Sequence, residues 1–131
     1  MKSIFKTGDK KYFSKTISKS DGAAFENGVV HDVYSTFAIA RDAEWCCRLF
    51  VLEMKEDDEE GIGTFVNVSH KSPALINSEI LFEAEIIALQ GNRIDCKWNA
   101  KIKDRLIAEG TQGQKILSRE KLEKIFNDLK I

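Results

Sequence analysis

The chain has 131 residues, 43% of them hydrophobic and 31% charged, with a formal net charge of −1. That length fits one domain, residues 1–131, with a core of its own, and the lack of a basic surplus excludes a nucleic-acid partner held by bulk electrostatics. No apolar run approaches 18 residues, so no membrane span is expected.

Residues 1–11 look like a loosely held start with a turn at Thr7-Gly8-Asp9. The start Met1-Lys2-Ser3-Ile4-Phe5-Lys6 turns polar at once, without the apolar core of a signal peptide, and the expected compartment, from three cysteines read as reduced thiols, is the cytoplasm. Tyr12–Ile17 has the aromatic and β-branched residues of a strand. Ser18 to Gly28 is polar and glycine-containing, hence a loop, and Val29–Tyr34 is a lead-in that is either extended or helical. Ser35 or Thr36 then caps a helix. Residues 36–54 hold no Gly or Pro and predict that helix. Its apolar side chains cover most of the circumference, from Ile39, Ala43, Cys46, Phe50 and Met54 round to Trp45, Leu49 and Leu52. Such a helix is buried, and only strands remain to wrap it.

The charge run Glu53–Glu60 is a solvated helix end and loop. Strands follow at 62–70, 79–89, 93–102 and 106–117. Pro73 ends the first of them, and Gln90-Gly91-Asn92 is a hairpin signal. The segment 93–102 alternates Ile94, Cys96, Trp98, Ala100 and Ile102 with polar residues, the mark of a half-buried antiparallel strand. Gly110 and Gly113 predict bulges or close approaches. Ser118 caps a last amphipathic helix carrying Leu122, Ile125, Phe126 and Leu129. Three cysteines, 46, 47 and 96, lack any metal-ligand spacing and are expected to be reduced core thiols. The order predicts an α+β fold, an antiparallel sheet curled round one long helix, which is the hotdog architecture.

A few polar residues interrupt this pattern. Glu44 sits at the shoulder between an apolar and a charged stripe, where it is either an i,i+4 partner of Arg48 or a functional carboxylate. His70 ends a strand, as a core or rim histidine or as a functional one. Thr36 is a cap or a ligand-facing hydroxyl. His31 has no better reading than loop surface, and Asp42 is expected on the helix's polar side. Gly63 inside a strand marks a close approach of backbone or ligand.

The set Thr36, Glu44-Trp45-Cys46, Gly63 and His70, with Glu109-Gly110-Thr111 later, resembles the fluoroacetyl-CoA thioesterase-like group of hotdog enzymes. The resemblance runs from about Tyr34 to Leu117. It implies a homodimeric acyl-CoA thioesterase, or a dimer of dimers, with Thr36, Glu44 and His70 catalytic and Gly63, Val30 and Gly110 at the substrate. No metal or other cofactor is implied, since coenzyme A arrives as part of the substrate. The aromatic lid positions of the fluoroacetyl-specific enzyme fall on Asn27 and Val30, and Gln114 stands where it has arginine. A small or medium acyl group other than fluoroacetyl is therefore expected. In such a site a helix N-terminus favours the developing oxyanion, Glu44 is base or nucleophile, and His70 orients Glu44 or shuttles a proton. The alternatives are a non-catalytic acyl-thioester binding module and a hydratase or dehydratase on the same fold.

Overall fold

The computed structural model describes residues 1–25 and 28–130, and only the backbone at 24, 25 and 28–30. In chain order the elements are β1 (Lys10–Thr16), a short 3-10 turn (Lys19–Asp21), β2 (Gly22–Phe25), β3 (Gly28–Tyr34), α1 (Thr36–Met54), β4 (Glu59–Val66), β5 (Ser69–His70), β6 (Glu79–Gln90), β7 (Arg93–Ile102), β8 (Arg105–Ser118) and α2 (Arg119–Leu129). β1, β6, β7, β8 and β4 form an antiparallel sheet in that order, and β5 also pairs with β8. β2 and β3 make a separate hairpin. Among the described residues, no helix is long and apolar enough to cross a membrane.

The curled sheet grips one side of α1. Ile39, Ala43, Cys46 and Phe50 recur at three- and four-residue steps and are fully buried. They meet the inward row of Ile80, Phe82, Ala84 and Ile86 on β6 and of Ile94, Cys96, Trp98 and Ala100 on β7. Each large side chain so buried contributes roughly 1.5–3 kcal/mol.

The wrapping is less complete than the helix's apolar circumference predicts. Phe37 stays 61% exposed, Trp45 42% and Leu52 41%. A sheet can cover one side of a helix only, and these residues lie on the side turned away from it.

Other boundaries also shift. The loop expected before Gly28 contains β2, and the ambiguous lead-in is β3. The single strand expected over 62–70 is broken at Asn67-Val68 into β4 and β5. The start of the chain is tied down. Phe5 packs edge-on against Phe50 with ring centroids 5.1 Å apart, and the Lys2 N–H donates to the Met54 carbonyl at 2.6 Å.

Asp42, expected at the surface, is 6% exposed. It accepts from the Tyr34 hydroxyl and from Lys15 Nζ at 3.0 Å, and Arg41 bridges it to Asp21. Two polar stripes of helix and strand thus meet as a buried network, which periodicity of one element alone does not reveal. Burial works to raise the Asp21 pKa, but the hydrogen bonds from Lys15, Arg41 and Ser18 outweigh it and hold the carboxyl well below its ordinary range. A depressed folded pKa gives stability that is complete above the unfolded value, near 4, and is lost as the pH falls below it. Urea melts of the native protein should therefore lose stability between about pH 4 and pH 2. An Asp21→Asn variant should be less stable at pH 7 and show a shallower acid loss. Parallel curves for the two proteins would contradict this assignment.

Candidate active site

Two clusters carry the residues singled out by the sequence. The first sits at the N-terminus of α1. Ser35 is the N-cap, its hydroxyl accepting from the Ala38 N–H at 3.2 Å. The Ser35 N–H donates to the Asp21 carbonyl at 2.9 Å, and the buried Tyr34–Asp42 contact fixes the turn behind it. Thr36 is thereby released from capping. Its hydroxyl lies 3.0 Å from His70 Nδ1. The first-turn N–H groups of Thr36 and Phe37 precede the helical hydrogen-bond ladder, so this corner presents donors and the positive end of the helix dipole.

His70 reaches Thr36 because of the break between β4 and β5. Asn67 leaves the regular ladder and straps itself to Thr111. Its Oδ1 accepts from the Thr111 N–H at 2.9 Å, and its Nδ2 donates to Oγ1 at 2.6 Å. Gly110 makes this possible, since a Cβ there would run into the Asn67 backbone carbonyl. Pairing then resumes, with Ser69 opposite Glu109 and His70 opposite Ala108. His70 Nε2 is buried without a partner among the described residues.

Thr36 and His70 share a cavity of about 540 Å³, walled by Val33, Phe37, Ala40 and Val68. His31, expected as loop surface, also lines it. Its signal was available in the sequence only if 29–34 had been taken as a strand leading into the helix.

The second cluster surrounds Glu44, eight residues and so about 12 Å further along the helix axis. Glu44 does not pair with Arg48, whose guanidinium donates to the Gly61 carbonyl at 3.1 Å. Instead Glu44 Oε1 accepts from Gln112 Nε2 at 3.2 Å. It occupies the space above Gly63, where a Cβ would collide with that same oxygen. Gln112 in turn accepts from Gln114 Nε2 at 3.0 Å. Both glutamines are buried on the inward face of β8. Their i,i+2 spacing in a strand was the available sign that they share a face.

Within one chain, then, Thr36 and His70 touch, while Glu44 stands with Gly63 and Gln112. Among the described residues no hydrogen bond joins the two groups. Gly110 shapes the bend under Asn67. The Val30 side chain and Asn27, where the lid comparison falls, lie outside the described residues.

The remaining chemistry narrows the choice of nucleophile. Cys46, Cys47 and Cys96 are buried and unpaired as disulfides. Burial pushes the Cys46 thiol up to about 12. A hydrogen bond with Cys96, followed by burial, raises that of Cys47 further. Neither supplies a thiolate near neutral pH. Among the described residues no His, Cys, Asp and Glu group could hold a metal ion.

No curated protein matches the sequence. Among solved structures, a hypothetical protein of Thermus thermophilus described as a thioesterase superfamily member is 29% identical, with a TM-score of 0.91 over 97% of this chain and 94% of that one. A hot-dog-like protein from Thermanaerovibrio acidaminovorans is 19% identical, with a TM-score of 0.87 over 97% and 95% of the two chains. A mutant of the fluoroacetyl-CoA thioesterase FlK in complex with acetyl-CoA is 16% identical, with a TM-score of 0.85 over 96% of this chain and 100% of that one. These likenesses identify the fold as hotdog. The family model described as FlK, fluoroacetyl-CoA-specific thioesterase, matches residues 17–120, and the chain belongs to that thioesterase family.

Proposed function

We propose that this protein is an acyl-CoA thioesterase that hydrolyses a small or medium acyl thioester to the free acid and coenzyme A. The observation that carries the reading is the Thr36–His70 contact at the N-terminus of α1, on the wall of a 540 Å³ cavity. The cavity takes the acyl group between Val33, Phe37, Ala40 and Val68. The thioester oxygen faces the first-turn N–H groups, which stabilise negative charge as the carbonyl becomes tetrahedral. Thr36 and His70 hold the reacting oxygen and pass a proton to the departing thiolate. Glu44 supplies the carboxylate, as base to water or as the nucleophile of a mixed anhydride that water then cleaves. Water is the only co-reactant. Asn27 and Val30, where the resemblance puts the lid positions, are not aromatic residues, which supports an acyl group other than fluoroacetyl.

This scheme requires Glu44 near His70, and the free edge of the sheet offers a way to bring them together. Among the described residues nothing pairs with the outer side of β4. Residues 63–67 are exposed along it, with Phe65 at 41% and Val66 at 38%. An unpaired edge that exposes apolar side chains is a template for another strand. Two copies of β4 paired antiparallel about Val66 and Asn67 would set Gly63 of one copy opposite His70 of the other. Glu44, which leans over Gly63, would then enter the partner's Thr36–His70 site. The active unit is accordingly a homodimer, alone or doubled.

Thiol release from a panel of acyl-CoAs tests the activity. Glu44→Gln should lower kcat by roughly 10²–10⁴-fold, and His70→Ala and Thr36→Ala by about 10²-fold or more. Binding of acyl-CoA without release of thiol by the native protein would replace the enzyme with a binding module. Alteration of the acyl chain with the thioester intact would indicate a hydratase instead.

Placing a charge on the free edge tests the dimer. Val66→Lys should reduce the mass measured by light scattering from twice 14.8 kDa towards that of one chain, and activity should fall with it. A variant that stays dimeric and active would contradict the pairing.

A further inference from the structure

Gln112 and Gln114 are 0% and 1% exposed, on the inward face of β8 beside Ile94 and Cys96. Burying a primary amide costs free energy unless its donors and acceptor are used. Here the hydrogen bonds of the two amides run in one direction. Gln114 Nε2 donates to Gln112 Oε1, which turns the Gln112 amide so that its Nε2 faces Glu44 Oε1. An apolar pair would pack against β7 equally well and at no polar cost, so packing alone does not account for two amides at these positions.

The carboxylate itself is held asymmetrically. Oε1 fills the niche over Gly63 and receives the Gln112 hydrogen bond, and a Cβ on Gly63 would come no nearer than 3.6 Å to Oε2. The strand register supports this, because Gly63 is the cross-strand partner of Gln114. A glycine on β4 and the Gln112 amide on β8 thus hold one oxygen of Glu44, and among the described residues no hydrogen bond engages the other.

Building on the catalytic reading of Glu44, we infer that Gln112 is a positioning residue: it clamps Oε1, with its own amide oriented by Gln114, so that Oε2 is the oxygen that meets water or the thioester carbonyl. Reaction through one fixed oxygen needs the carboxylate in a single rotamer, and misplacement of a reacting group by about 1 Å can cost about 10²-fold in rate. Gln112 does not touch the substrate, so the effect belongs to kcat rather than KM.

The test compares Gln112→Met, which keeps the volume and removes the amide's donor and acceptor, with the native enzyme on its best acyl-CoA. We expect kcat to fall about 10–100-fold, with KM within about threefold. The same change in a Glu44→Asp background should cost less than about threefold, because the shortened carboxylate no longer reaches the clamp. A purely structural role would lower the melting temperature and leave kcat below it unchanged, or would cost the same in both backgrounds; either result overturns the inference. If Gln112→Met does not fold, Gln114→Met removes only the outer link and should lower kcat about 3–10-fold, and an unchanged kcat would again overturn it. Glu44→Gln is the control that separates the two claims. Full activity in that variant would overturn the catalytic reading and the clamp with it, whereas an inactive Glu44→Gln beside a fully active Gln112→Met would overturn the clamp alone.

Discussion

Burial of one side of α1 against the sheet is the constraint on which the other features depend. The helix turns every 3.6 residues, so fixing Ile39, Ala43, Cys46 and Phe50 into the sheet fixes the direction of every other side chain. Thr36 is carried to the cavity at one end. Glu44, about 80° further round and two turns along, is carried to the β4 edge. The Tyr34–Asp42–Lys15 network locks this rotation by pinning the polar flank of the helix to β1 and to the strand that precedes it. A helix free to roll by half a turn would bury the wrong residues and separate Thr36 from His70.

The sheet answers this placement through its irregularities rather than its regular ladder. The bulge between Gly63 and Phe65 opens a niche for Glu44, and the break at Asn67 redirects the strand so that His70 meets the helix N-terminus. Gly110 and Gly63 are needed for close approach, one of a backbone and one of a carboxylate. Among the described residues the outer side of the same edge has no strand partner, and it is there that the proposed function places a second copy.

Much of this was legible in the residues themselves. The clean alternation of 93–102 gave a strand with those same bounds, and the lack of Gly and Pro from 36 to 54 gave the helix. Patterns of period 2 and 3.6 report one element at a time, and that is where they stopped. Asp42 looked solvated because its partners Lys15 and Tyr34 lie on other elements. Glu44 offered Arg48 as a neighbour at i,i+4, yet Arg48 found a backbone carbonyl instead. Gln112 passed as an ordinary strand residue, and Gln114 stood out only as the replacement of an arginine, since only the packed sheet shows that their face is inward. The hairpin of β2 and β3 was hidden by its glycines and polar residues, which favour a loop when no partner strand is considered.

The central claim is that Glu44 of one copy completes the Thr36–His70 pair of another. Mixed dimers test it most directly. Glu44→Gln and His70→Ala chains, each inactive alone, are unfolded together, refolded at equal ratio and assayed for thiol release. A site shared between copies predicts that half of the dimers are mixed and that each mixed dimer has one intact site, so activity returns to about a quarter of the native value, by the random pairing that symmetric dimers allow. If the refolded mixture contains mixed dimers and its activity stays at that of the parents, Glu44 and His70 act within one chain and the account of a shared site is wrong.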